Sequence, residues 1–276
     1  MLVDGIVTDA IPTDDRGLAY GDGLFETIAW RNAAPRFLAR HMERLAEGCR
    51  RLALDVPDTA ILEEELRKLA AGSVRGTGKI IVTRGSGPRG YLTPDNARPR
   101  RIVSFSPAVA SRPLQQTHFS VGVLAVRASS NPALAGMKTL NRLDSVLARS
   151  EVGRRGLDDG LMLDAHDCVV GSTAGNVFLV EDGGHLVTPD LAMAGVRGVM
   201  RSVVIEAAAA AGVSVSERAV TKTALGDCRA AFLTNALIGL RPVDRIDDRA
   251  IATRQNPVVR AIIAGVEARG VGICES

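Results

Sequence analysis

The stretch "PAVASRPLQQT", Pro107 to Thr117, carries two prolines and no apolar period. Proline fixes φ and removes a backbone donor, so neither a helix interior nor a central strand runs through it. It divides the chain into 1–106, a linker at 107–117, and a larger part at 118–276 that contains Lys138. On both sides the apolar spacing switches between a period of two and one near 3.6, without strict alternation of strand and helix. That pattern favours an α+β or mixed α/β chain in two lobes.

In the first part, "LVDGIVTDAI" and "LFETIAWR" read as strands flanking a glycine-rich "RGLAYGDG". Leu38, Met42, Leu45, Cys49 and Leu52 follow helical spacing, and a second helix is expected over Thr59 to Ala71. "KIIVTR" and "RRIVSFS" read as strands. In the second part, "FSVGVLAV", "DGLMLD", "NVFLVED", "HLVTP", "VSVSERAV" and "AAFLTNA" read as strands. Helices are expected up to about Arg155, stopped by Gly156, and from about Gly198 to Ala211. A last helix opens at Asn256-Pro257, a good N-cap and first-turn pair.

Composition excludes several function classes. The 34 basic and 31 acidic residues are interspersed and aromatics make up only 3%, so nucleic acid is a poor partner. Apolar runs fall short of the roughly 18 residues that span a bilayer. The opening "MLVDGIVTDAIPTDD" is acidic and proline-broken, unlike a signal peptide. Cys49, Cys168, Cys228 and Cys274 lie far apart and read as reduced thiols of a cytoplasmic protein. The four histidines form no HExxH or close His/Cys pair, so no metal site is expected. "RGSGPRG" satisfies GxGxxG after a strand, yet it runs into "YLTPDNARPRR", whose prolines forbid the helix that a dinucleotide site needs. A glycine-rich hairpin fits better, with Arg84, Arg89 and Tyr91 placed to face an anionic substrate.

Lysine is rare here. Only Lys68, Lys79, Lys138 and Lys222 supply an ammonium among 34 basic residues. In "NPALAGMKTLNRLDSVLARSE", Leu140, Leu143 and Leu147 lie at helical spacing and suggest a core-facing stripe. Asn141 is the expected N-cap, with Asp144 in the first turn. Lys138 then stands just before a helix N-terminus, where the dipole disfavours a cation. A lowered pKa is what an amine nucleophile needs, since only the neutral form attacks a carbonyl. An ordinary surface lysine fits the same spacing.

The letters around Lys138 resemble the cofactor-lysine segment of aminodeoxychorismate lyases, within the class IV (fold-type IV) pyridoxal-phosphate enzymes. "DDRGLAYGDGLFET", "HMERL", "RGSGPRGY", "GVRGVMR" and "TNALIGLRPV" fall in that family's order across nearly the whole chain. The resemblance implies a two-domain, D-amino-acid aminotransferase-like fold, a homodimer, and pyridoxal 5'-phosphate bound between the lobes. It implies that Lys138 carries the cofactor and moves protons, and that Arg44 binds its phosphate. The backbones of Val199 and Met200, and of Asn235 and Ala236, would cradle that phosphate. Thr27 would stand near the substrate, and Arg142 is a further candidate contact for an anionic substrate. The implied reaction converts 4-amino-4-deoxychorismate to 4-aminobenzoate and pyruvate for folate synthesis. A D-amino-acid or branched-chain aminotransferase is the alternative. A cofactor-free binding protein retaining the fold is a third reading, suggested by one departure. Where the family carries a glutamate paired with the pyridine nitrogen, this chain has Gly171. Arg241 is a second departure, at a position usually apolar or aromatic.

Overall fold

The computed structural model describes residues 1–108 and 118–272, so most of the expected linker, and Cys274, lie outside the described residues. The chain divides into two compact units. The first comprises Met1–Ser111 with Met137–Asn141, and the second Arg112–Gly136 with Arg142–Ser276. Lys138 therefore belongs to the first unit rather than to the larger C-terminal part. The cause is backbone pairing: Phe25 N–H donates to the Lys138 carbonyl (2.9 Å), and Leu140 N–H donates to that of Gly23 (3.0 Å).

The first unit opens with two short strands, β1 (Leu2–Val3) and β2 (Ile6–Val7). The glycine-rich stretch that follows contains a helix, α1 (Arg16–Tyr20), capped by the Asp15 side chain at Gly17 N–H. Then come β3 (Gly23–Arg31), β4 (Ala34–Pro35), α2 (Leu38–Arg51), α3 (Thr59–Leu69), β5 (Gly76–Thr83) and β6 (Arg100–Pro107). They form one sheet ordered β2-β1-β6-β5-β3-β4, with β3, β5 and β6 antiparallel. Along β3 the pleat sends Leu24, Glu26 and Ile28 to one face, all buried, and Phe25 and Thr27 to the other, half-buried. The core face receives Met42, Leu45 and Cys49 of α2 and Leu62 and Leu66 of α3. Each such aliphatic side chain contributes about 1.5–3 kcal/mol by leaving water. Helices and sheet approach closely at glycines: a Cβ on Gly48 would meet Leu24 at 2.7 Å, and one on Gly78 would meet Leu66 at 2.5 Å.

The second unit contains β7 (Ser120–Arg127), α4 (Leu143–Arg155), β8 (Asp159–Leu163), β9 (Val169–Ser172), β10 (Asn176–Val180), β11 (Leu186–Thr188), α5 (Val199–Ala210), β12 (Val215–Glu217), α6 (Lys222–Asp227), β13 (Ala230–Asn235), β14 (Gly239–Val243), β15 (Arg245–Ile246), β16 (Arg249–Ala250) and α7 (Pro257–Glu267). Two five-stranded sheets result, ordered β12-β11-β10-β13-β14 and β16-β15-β7-β8-β9. Val121, Leu161, Val177, Leu179, Leu233 and Val243 share its main core. Asn256 caps α7 through its side chain, as the sequence indicates.

Helix α4 departs from expectation twice. Its N-cap is Arg142 rather than Asn141, and no side chain caps it. Of the expected core stripe, Leu143 (69%) and Leu147 (52%) are exposed and Leu140 is half-buried, while Ala148, Glu151 and Val152 are buried. The Glu151 carboxylate accepts from the amides of Ala125 and Val126, where β7 slips register against β8. A buried carboxylate that accepts amides a sheet leaves unpaired explains why this polar side is the covered one.

Candidate active site

In the first unit, Met137–Asn141 runs along β3. Leu24 bridges Thr139, and Met137 and Thr139 are buried. The glycines of "YGDG" permit this approach. Gly21 is left-handed (φ 66°), and a Cβ there would fall 2.4 Å from Asn141 Oδ1; a Cβ on Gly23 would fall 3.0 Å from Leu140. With that segment placed, Lys138 Nζ stands 4.2 Å from the centroid of the Phe25 ring. Lys79 Nζ stands 5.4 Å from the same ring. Thr27 is the cross-strand partner of Lys79, so Phe25, Thr27 and Lys79 share one sheet face. Two of the chain's four lysines thus meet one aromatic ring.

The opposite face of β3 carries Glu26, which is 1% exposed. Arg44 on α2 grips it side-on, Nε to Oε1 at 2.8 Å and Nη2 to Oε2 at 2.5 Å, and His41 Nδ1 lies 2.6 Å from Oε2. Burial alone would push the Glu26 carboxyl up. The His41 and Arg44 hydrogen bonds outweigh it and hold the group below the usual carboxylate range.

Arg84 is buried and fully engaged: Nε donates to Asp22 (2.7 Å), Nη1 to the Ala53 carbonyl (3.1 Å) and Nη2 to the Leu52 carbonyl (2.8 Å). It thus ties the end of α2 to the segment after α1. Buried Arg16 holds the base of the following loop through the carbonyls of Gly90 and Tyr91. Arg89 and Tyr91 are exposed on that loop, and the Tyr91 ring packs edge-on against Tyr20 at 5.5 Å.

In the second unit, α5 begins at Gly198, and no side chain caps its first amides. Such an end, with Val199 and Met200 as its first residues, favours an anion. Gly198 lies against Asn176, whose Oδ1 is 2.2 Å from where a Cβ would stand, while Asn176 Nδ2 donates to the Val196 carbonyl (2.8 Å). Asn176 pairs with Thr234 across β10 and β13. Just beyond, Asn235 Oδ1 accepts from Leu237 N (2.9 Å) and Ile238 N (3.0 Å), which shapes the turn holding Ala236. The β10–β13 pairing therefore brings these four sequence-indicated residues to one end of the sheet.

Arg142 is half-buried at the start of α4. Burial pushes its guanidinium down, and the Asp144 charge opposes that. Gly171 sits on β9, where a Cβ would fall 2.7 Å from the Gly175 carbonyl oxygen. Ser172 N–H donates to that same oxygen at 2.9 Å, so the tight turn fills the space a side chain would need. Arg241 is buried and lies over the Phe119 ring at 4.5 Å, a packing role for a cation. Sequence reasoning missed Lys79, His41 and Glu26. A signal for Glu26 exists: a carboxylate at the core parity of Leu24-x-Glu26-x-Ile28 needs a buried partner.

The amino-transferase class IV profile matches residues 23–246. The chain resembles the crystal structure of a 4-amino-4-deoxychorismate lyase from Pseudomonas aeruginosa, with 43% identity, a TM-score of 0.89, and coverage of 97% of this chain and 98% of that one. It is 32% identical to an aminodeoxychorismate lyase of Vibrio harveyi, over 88% of this chain and 90% of the relative. It is also 32% identical to a putative branched-chain-amino-acid aminotransferase of Methanocaldococcus jannaschii, over 87% and 84%.

Proposed function

The chain belongs to the amino-transferase class IV family, and from that premise we propose that it is an aminodeoxychorismate lyase using pyridoxal 5'-phosphate. The observation that carries the reading is the gathering of Lys138, Phe25, Thr27 and Lys79 on the first unit. The residues present suit the cofactor. An uncapped helix start at Gly198 suits a phosphate, and the glycine there leaves room for the Asn176 side chain packed against it. Lys138 would join the cofactor, Arg44 would bind its phosphate as a guanidinium fork, and the backbones of Val199, Met200, Asn235 and Ala236 would complete the cradle.

When bound, pyridoxal phosphate supplies an electron sink for a C–H bond broken beside the substrate amine. The protein's part is proton handling and anion binding. Lys138 Nζ takes the proton from the ring carbon bearing the amine. The electrons of that bond form the third ring double bond and break the adjacent enol-ether C–O bond, so the ring becomes aromatic and pyruvate leaves as its enolate, which takes the proton from Lys138 at its methylene carbon. The products together contain every atom of the substrate, and no oxidant is needed. The Thr27 hydroxyl and the Lys79 ammonium face the same side and suit the substrate's oxygens and carboxylates. Arg89 and Tyr91, exposed on their loop, remain candidate substrate contacts, as does Arg142, whereas the engaged Arg84 suits a supporting role.

We further propose a homodimer in the cytoplasm, acting in folate synthesis, with the apolar stripe Leu143, Val146 and Leu147 covered by a second copy. Among the described residues, no helix is long and apolar enough to cross a membrane. The test is release of 4-aminobenzoate and pyruvate from freshly made aminodeoxychorismate. Product formation without added ketoacid supports the lyase. Amino transfer from D-alanine or branched-chain amino acids at an equal or higher rate supports the aminotransferase alternative favoured by the archaeal relative. A protein that stays colourless with added pyridoxal phosphate supports the cofactor-free reading.

A further inference from the structure

Glu26 sits where an apolar residue would ordinarily be, between Leu24 and Ile28 on the core face of β3, and it is 1% exposed. A carboxylate buried this deeply is costly unless paired and hydrogen-bonded, and replacing it with an aliphatic residue would suit the core better. Its partners are specific. Both oxygens are taken by Arg44, and Oε2 is also taken by His41, itself 1% exposed. The Arg44 side chain is only 15% exposed. An arginine has five donors in a rigid plane, and gripping it through Nε and one Nη fixes both the plane and its rotation.

We propose that Glu26 is a positioning residue: held in turn by His41, it fixes the orientation of the Arg44 guanidinium that would bind the cofactor phosphate. The inference rests on the reading that Arg44 binds that phosphate, and it adds a buried support that the motif "HMERL" alone does not reveal. Preorganising a fork in this way removes the rotamer entropy that a long, loosely held arginine would lose on binding.

The test compares pyridoxal 5'-phosphate with pyridoxal, which lacks the phosphate, by spectrophotometric titration of the full chain. The wild type should bind the phosphorylated form far more tightly. Glu26→Gln keeps shape but cannot accept from both partners as a carboxylate does. It should weaken pyridoxal phosphate affinity roughly tenfold and leave pyridoxal affinity nearly unchanged. Arg44→Lys keeps the charge without the fork and should show the same selective loss. The double variant should lose little more than either single one, because the two residues act as one unit. If Glu26→Gln folds poorly, Arg44→Lys with His41→Gln gives the same reading from the other members. Equal weakening of both ligands, or lowered stability with discrimination intact, would make Glu26 a purely structural residue and overturn the inference. Discrimination lost in Arg44→Ala but kept in Glu26→Gln overturns the inference alone. Discrimination unchanged in Arg44→Ala removes the phosphate assignment and the inference with it.

Discussion

Arg44 and the start of α5 are both proposed for the same phosphate, and they are built in opposite ways. In the first unit the charge is carried by a long side chain, held by a strand carboxylate that a helix histidine also binds. In the second, the donors are backbone amides at an uncapped helix end, and what matters is a missing side chain at Gly198. The first kind of site is sensitive to charge and reach, the second to volume. A charge swap should therefore damage one unit's contribution and leave the fold standing, while an added methyl should damage the other by disturbing packing.

The largest effect is expected at Lys138. Lys138→Ala should lower turnover by at least about a thousandfold, within the range for losing a general base, while leaving unfolding in urea unchanged. Borohydride treatment of the wild type followed by peptide mapping should place the cofactor on Lys138. Label on Lys79 instead would reverse the roles of the two lysines beside Phe25.

Next comes Arg44→Ala. A charge-assisted hydrogen bond is worth about 1.5–3 kcal/mol net, so pyridoxal phosphate should dissociate roughly ten- to a hundredfold more readily, as read by equilibrium dialysis. Part of any stability loss would come from Glu26, left buried with one partner fewer. Unchanged affinity would leave only the amide cradle as a phosphate site.

Gly198→Ala and Gly171→Ala probe the volume side of the comparison. The new methyl would lie 2.2 Å from Asn176 Oδ1 in the first case and 2.7 Å from the Gly175 carbonyl in the second. Overpacking of this kind costs about 1–3 kcal/mol, to be read as a lower urea midpoint. Gly198→Ala should also weaken cofactor binding, whereas Gly171→Ala should not. The second contact also means that a glutamate cannot be restored at 171 without moving the turn. The absence of a carboxylate there is thus built into the backbone, and poor amino transfer by the wild type is the expected companion.

Much of this was legible in sequence. Period located α2 and α3, and single residues set helix ends: Asn256 caps α7, and Gly156 stops α4 in a left-handed conformation. Period says which residues share a face, however, and not which face is covered. Hence Leu143 and Leu147 share a face at helical spacing, yet Glu151 is the buried one. Pro242 hid β14, which tolerates it because that strand is a sheet edge. The site divided likewise. Motifs marked Lys138 and Arg44, but Lys79 and Glu26 acquire meaning only from strand register and pleat.

The smallest effect expected tests whether the Arg44 grip is electrostatic. Glu26 is held below its ordinary value, near 4.5, because His41 and Arg44 favour its charged form despite burial. A carboxylate depressed on folding contributes stability that is fully present above its unfolded value. That stability is lost as pH falls through the folded value. Between pH 7 and about 5 the wild type and Glu26→Gln should therefore show parallel urea midpoints. Below that ordinary value of 4.5, the wild type should lose stability more steeply, since only it must take up that proton on unfolding. The difference between the two curves isolates this one carboxylate, because all others titrate in both proteins. Parallel curves down to pH 3 would mean that Glu26 binds its proton equally in the native and unfolded states. Its pairing would then favour neither form, and the side-chain half of the comparison would rest on Arg44 alone.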